Sequence, residues 1–364
     1  SDNKFTYTLN EGTSENNYNI TKAEGKLTVT ADDKEVVVTI TGNNKTVKYN
    51  GTEQTVTDYT VTSSNPLYTA NDFTFSGKAE AKGTDAGTYK MELKESDFKN
   101  TSNQFSKVKF VVVDGTLTIE KRNVTLTSGT SSRPYTGKAL TNDTITVGGD
   151  GFAEGEGASC KVTGTITNVG KKDNTFTYTL DEGTNKDNYE ITTEEGTLEV
   201  TPVTSDVVVK ITGNHTEDKY DGTEKKASGY VVTNISNPLY QDSDFTFDGT
   251  ALAKRTNAGE TEMGLDAKNL KNENANFTNV KFEVTDGYVK VEKRTVTMTS
   301  ATDSRAYNGK ALTNKNVTES GDGFAKGEGA TYDVTGSQTI VGNSDNEFTY
   351  TLNANTKAKN YNIT

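Results

Sequence analysis

Side chains that do nucleophilic or metal chemistry are scarce in this chain, which has one histidine, His215, and one cysteine, Cys160. A Ser/His/Asp or Cys/His system needs a base beside its nucleophile, and His215 sits in the turn-like run Ile211-Thr212-Gly213-Asn214-His215. Carboxylates offer one other candidate. Gly149-Asp150-Gly151-Phe152-Ala153-Glu154-Gly155-Glu156-Gly157 is acidic and glycine-rich, like a calcium loop. It recurs as Gly321-Asp322-Gly323-Phe324-Ala325-Lys326-Gly327-Glu328-Gly329. Lys326 in place of Glu154 weakens a hard-cation cage built from about six to eight oxygens. EF-hand spacing and the nine-residue calcium repeat are both absent, as is the GxxxxGK(S/T) order of a phosphate cradle. The run reads first as a glycine-rich turn, with calcium as the alternative. No catalytic, cofactor-binding or metal-ligating residue is assigned, no cofactor is expected, and an enzyme is not expected.

Two further patterns have a chemical reading. Tyr49-Asn50-Gly51, Tyr135-Thr136-Gly137, Tyr220-Asp221-Gly222 and Tyr307-Asn308-Gly309 share a Tyr-x-Gly core. The Tyr could stack on a ligand such as a sugar, although a chain without Trp is poor in flat platforms. The structural reading is a turn in which Gly takes positive φ and Tyr packs back on its own sheet. Lys48 and Lys219 recur just before the Tyr. A Lys–Asn isopeptide link would suit a stalk, but no recurrent buried Asn is evident in a closing strand.

These residues are positioned by a repeated chain. Phe5, Phe176 and Phe348 open near-identical FTYTL segments spaced by 171 and 172 residues, and the SNPLY segments ending at Tyr68 and Tyr240 are 172 apart. The Tyr-x-Gly copies are 86, 85 and 87 residues apart, so two related module types alternate within the longer period. The expected domains are a closing part of a B-type module at 1–31, an A-type module at 32–120, a B-type at 121–202, an A-type at 203–292, and at 293–364 a B-type lacking its last strand. The repeats also test the lone residues. His215 falls where the first A module has Asn44, and Cys160 where the second B module has Tyr332, so neither is retained between copies.

Phe5, Tyr7 and Leu9, or Tyr89, Met91 and Leu93, alternate with polar residues, as in half-buried antiparallel strands. Val36–Ile40 and Phe110–Val113 read as strands covered on both faces. Only 94–103 and 266–274 could hold a helical turn or two. The fold class is all-β, with tandem small β-sandwich or β-grasp-like modules in an elongated rod and very little helix.

Composition narrows the partners. Of 364 residues 31% are hydrophobic, too few for one large core, and small surface-rich modules fit better. The net charge of −12 opposes nucleic acid and anionic lipid, and no apolar stretch approaches the roughly 20 residues of a membrane span. No nucleic-acid partner and no membrane insertion are expected.

The order of the motifs carries a resemblance. A Tyr-x-Gly turn (Tyr49-Asn50-Gly51) precedes Thr84-Asp85-Ala86-Gly87-Thr88-Tyr89, Asn103-Gln104-Phe105 and the closing Asp114-Gly115-Thr116-Leu117-Thr118-Ile119. That order resembles bacterial MBG repeats of the YGX type, found in large surface adhesins and stalk proteins. The resemblance implies a secreted or cell-surface location and brings no catalytic residue. The SNPLY and DFTF insertions of the A modules depart from the family's short form.

Residues 1–21 duplicate 344–364 in pattern, and Gly25–Val29 carries the Gly-x-Leu-x-Val strand that 293–364 lacks. Either the chain is a window of a longer array, or copies complete each other's sheets by strand addition. The leading expectation is a structural stalk or shaft of a bacterial cell-surface adhesin or extracellular fibre. Its partners would be neighbouring repeat modules or head-to-tail copies of itself. The alternative is a ligand-binding module recognising a host glycan or protein on the cell surface.

Overall fold

The computed structural model describes residues 1–364. They form two compact units: Ser1–Thr130 with Asn142–Gly164 and Asp173–Thr197, and Ser131–Thr141 with Thr165–Lys172 and Leu198–Thr364. The chain is all-β, a series of small sheets with helix confined to three-residue 3-10 turns such as Glu95–Asp97 and Ala267–Asn269.

Each A-type repeat is built on two bent strands. Near its start, Val36–Gly42 continues past Asn43 into Lys45–Lys48, and near its end Val108–Val113 continues past Asp114-Gly115 into Thr116–Glu120. Before the bend, Val36–Gly42 is central, parallel to Val108–Val113 and antiparallel to Tyr59–Ser63. After it the roles exchange, and Thr116–Glu120 is central, parallel to Lys45–Lys48 and antiparallel to Gly87–Lys90. The second copy repeats this with Val207–Gly213 and Tyr288–Glu292 as the central strands. B-type repeats open in the same way, on Arg122–Ser128 and Arg294–Ser300.

The two bends touch. A Cβ on Gly42 would lie 2.4 Å from the Gly115 nitrogen, and one on Gly115 would lie 2.6 Å from the Asn43 carbonyl oxygen. Gly213 and Gly287 make the same approach, at 2.3 Å. Glycine is therefore required here by backbone proximity, which explains the Asp-Gly of the closing motif.

The bend also divides the core. Val36, Val38, Ile40, Phe98, Phe105 and Phe110 form one cluster, and Tyr68 of SNPLY and Phe73 of DFTF are buried within it. The insertions thus thicken the core of the A repeat. Leu117 and Ile119 belong to a different cluster, which also contains Val124, Leu126 and Tyr189 of the following B repeat. In the second unit Val289 and Val291 likewise share a cluster with Val296, Met298 and Tyr361. Hydrophobic packing crosses the sequence repeat boundary.

Val36–Gly42 differs from the expected two-sided burial. Val36, Val38 and Ile40 are buried while the alternate residues are only half-covered, and Val113 is exposed. Both mixed sheets keep one solvated face, as their many threonines require.

Candidate functional site at the repeat junctions

The A-to-B junction begins with the Tyr-x-Gly turn. Gly51 has φ +80° and Gly222 +86°, which supports the turn predicted from sequence. Tyr49 shares a core cluster with Leu117 and Ile119 of its own repeat, and Tyr220 with Val289 and Val291, but both also reach the next repeat. Tyr49 meets Tyr189 of the next repeat edge-on at 5.6 Å, and Tyr220 meets Tyr361 at 5.7 Å. One glutamate holds each pair: Tyr49 donates to Glu156 Oε1 at 2.5 Å and Tyr189 to Oε2 at 2.9 Å. Tyr220 and Tyr361 donate to Glu328 at 2.5 and 2.7 Å. Buried hydroxyls need such partners.

The acidic glycine-rich loop supplies this glutamate and a second link. Lys48 Nζ pairs with Asp150 at 2.5 Å, and Lys219 pairs with Asp322 at 2.6 Å. Arg122 donates to the carbonyls of Asp150, Gly151 and Tyr49, and Arg294 to those of Asp322, Gly323 and Tyr220. Two of the loop's carboxylates thus face a lysine and tyrosine hydroxyls.

A third link recurs at three junctions. The Asn188 carboxamide, fully buried, accepts from Ala86 N at 2.7 Å and donates to Asp85 at 2.9 Å. Asn360 does the same with Ala258 N and Asn257, at 2.9 and 3.2 Å. At the B-to-A junction Asn276 accepts from Val169 N at 2.8 Å and contacts Asn168 at 3.3 Å. Tyr135 packs there on Phe277, edge-on at 5.7 Å. The (Asp/Asn)-(Ala/Val)-Gly turn of one repeat is therefore capped by the Asn of the Asn-(Tyr/Phe) pair of the next.

Sequence reasoning missed these asparagines and glutamates. Recurrent buried Asn residues do exist, in turns and not in closing strands, and their amides bind backbone and Asx side chains. Lys48 and Lys219 are about half-exposed and ion-paired, unlike the buried lysine that an isopeptide link needs. Tyr307 also departs from expectation, being 68% exposed.

The lone residues lie elsewhere. His215 is exposed and stacks on Tyr288 at 5.3 Å. Cys160 lies half-buried on Ala158–Val162, opposite Tyr178, and burial pushes its thiol up.

Burial and the Glu156 bond push the Tyr49 hydroxyl from 10.0 up to about 12. Tyr189, Tyr220 and Tyr361 move the same way, burial again leading. A folded-state value above the unfolded one means that the stabilisation is whole below pH 10 and is lost towards pH 12. On the acid side, the Lys219 hydrogen bond holds Asp322 at about 2 against 3.8 unfolded, so its contribution is lost as pH falls through that interval. Melting temperature should therefore drop from pH 10 upward, together with late-titrating tyrosinate absorbance. Tyr49→Phe should remove the corresponding part of the alkaline decline. An unchanged melting temperature across that range would contradict the buried Tyr–Glu pairs.

Residues 36–121 match the family model of the MBG domain. The match covers one repeat period and ends at the A-to-B boundary, supporting the MBG resemblance over that segment. No curated protein matches the chain. Among solved structures, the Down Syndrome Cell Adhesion Molecule (DSCAM) isoform 1.30.30, N-terminal eight Ig domains, is 10% identical. That alignment covers 89% of this chain and 51% of the other, with a TM-score of 0.14. The chain spans about half the length of that neighbour, and no argument rests on the likeness. No helix is long and apolar enough to cross a membrane.

Proposed function

We propose that this chain is a structural shaft of a bacterial cell-surface adhesin or extracellular fibre, made of MBG-type repeats coupled in series. The observation that carries this reading is the asparagine link, which recurs at three junctions with one geometry. The candidate ligand-binding residues of the sequence, namely the Tyr of Tyr-x-Gly and the carboxylates of the glycine-rich loop, are used at the A-to-B junctions to hold neighbouring repeats. The function is mechanical: each junction resists bending and undocking because buried hydroxyls and amides lose their partners if it opens. No reaction is assigned to the protein, and its location is extracellular.

Pulling a single chain by its ends tests this. Serial unfolding events are expected, with contour gains of about 290 Å per repeat of this length at the reach of an extended chain. Arrays of glycans and matrix proteins should show no saturable binding. Saturable binding that Leu67→Ala abolishes without changing the melting curve would overturn the shaft in favour of a ligand-binding module, because Leu67, in the SNPLY insertion, is 76% exposed.

A further inference from the structure

Both A repeats, and the B repeat at 121–202, pair their first strand with their last in parallel. Val36 lies beside Val108 and Lys45 beside Leu117, both 72 residues on, so one register runs unbroken through the bend. The offset is 73 in the second A repeat, from Val207 to Val280 and from Thr216 to Val289. In the B repeat it is 67, from Arg122 to Tyr189 and from Ser131 to Leu198. The exchange of roles at the bend decides where each strand is held on both sides. The first strand is central over Val36–Gly42, where the chain enters the repeat, and the last is central over Thr116–Glu120, where it leaves. Val207–Gly213 with Tyr288–Glu292, and Arg122–Ser128 with Thr197–Thr201, repeat this arrangement.

We propose that these repeats are tensile clamps: a pull along the chain is borne in shear by the parallel first and last strands, and the glycine crossing stops them sliding. Drawing the two ends of a repeat apart drags these strands in opposite directions along their own axes. The evenly spaced bonds of a parallel ladder are then loaded together, instead of parting in turn from an open end. Load enters and leaves through a strand with a partner on each side, so neither strand can peel off as an edge. Sliding meets a second obstacle at the bend. A shift of one residue would bring Thr41 or Asn43, or Asp114 or Thr116, to the crossing, where a Cβ at Gly42 or Gly115 already lies 2.4 or 2.6 Å from opposing backbone. Gly213 crosses Gly287 at 2.3 Å, and a Cβ on Gly196 would lie 2.4 and 2.6 Å from the carbonyl oxygens of Ser128 and Gly129. In a close-packed interior such a contact transmits strain rather than yielding. The proposal deepens the shaft reading and rests on it for its purpose: a spacer needs only stiffness, whereas a tether needs strands loaded along their length.

Single-molecule pulling on the full chain, with Cys160→Ser and two handle cysteines, tests the clamp. Handles at Lys34→Cys and Lys121→Cys sit at opposite ends of the first A repeat's ladder and load it in shear. Handles at Glu35→Cys and Lys107→Cys sit at one end of it and unzip it. All four positions are exposed. Rupture in shear should need at least about twofold more force than unzipping, because six pairs before the bend and four after it share the load. The distance to the transition state in shear, read from the loading-rate dependence, should be under about 3.3 Å, the rise of one residue. Lys48→Met combined with Tyr49→Phe loosens the A-to-B junction and spares the backbone ladder, so the force ratio should stand. Equal forces from the two handle pairs would overturn the clamp. So would a ratio that the double variant abolishes, or a shear transition distance of several residues. The shaft reading fails separately: saturable binding lost with Leu67→Ala would sink it and leave the force ratio intact.

Discussion

Tyr49→Ala should cost about 3–5 kcal/mol, the usual range for deleting a large buried aromatic. For a cooperative unit of this size, that lowers the melting temperature by about 6–20 °C. The ring is 95% buried, packs on Tyr189, and shares Glu156 with it. Removing it therefore opens a cavity and takes away one of the glutamate's two donors. Tyr49→Phe keeps the ring and should cost only about 1–2 kcal/mol for the lost hydrogen bond. Tyr307→Ala, at an exposed copy of the same motif, should leave melting within error. Calorimetry on the three variants separates these outcomes. Equal, small effects at Tyr49 and Tyr307 would show that the tyrosine does not secure the junction.

Gly115→Ala should destabilise by about 1–3 kcal/mol or more, as overpacking of close-packed interiors does. Its Cβ would meet the Asn43 oxygen, Met91 Sδ and the Gly42 carbonyl carbon at 2.6, 2.7 and 2.8 Å. Two of these contacts are backbone, so relief requires the bent strands to separate, which disturbs both mixed sheets of the repeat. Gly25→Ala, with open space around its Cβ, is the control and should be neutral in chemical denaturation. A neutral Gly115→Ala would mean that the bends can part freely, contrary to the packing described.

The strands were legible because alternation is local: Leu117 and Ile119 declare their buried face within a few residues, whereas the unbroken β-branched run Val36–Ile40 hid which of its faces is buried. Positive φ at Gly51, Gly137, Gly222 and Gly309 was legible in the same way. The partners of Tyr49 and Asn188 were not, because those bonds join residues more than a hundred positions apart. A repeat pattern marks both members of such a pair without saying that they meet. One signal was nevertheless present. Between the two glycine-rich loops Glu154 becomes Lys326, while Asp150, Phe152, Ala153 and Glu156 recur as Asp322, Phe324, Ala325 and Glu328. The recurring residues are those facing Lys48, Tyr49 and Tyr189, and the changed one makes no junction bond. Tyr307 was misread because its motif is intact, whereas burial of such a tyrosine depends on partners distant in sequence, as Tyr135 on Phe277, and not on the motif.

The chemistry of the junctions restricts how such a gene can change length. Where a B repeat offers Tyr189 or Tyr361 with a glutamate beside it, an A repeat offers Phe105 or Phe277, which has no hydroxyl. Losing one 86-residue unit by recombination would set two A repeats or two B repeats against each other. In the first case, the hydroxyl of Tyr49 or Tyr220 would face Phe without its glutamate, and a buried donor left without its acceptor is costly. Losing or gaining an A–B pair rejoins matched faces and disturbs nothing. Viable alleles of such an array should therefore differ by multiples of about 172 residues, so that the tyrosine–glutamate pairing acts as a parity check on unequal crossing-over.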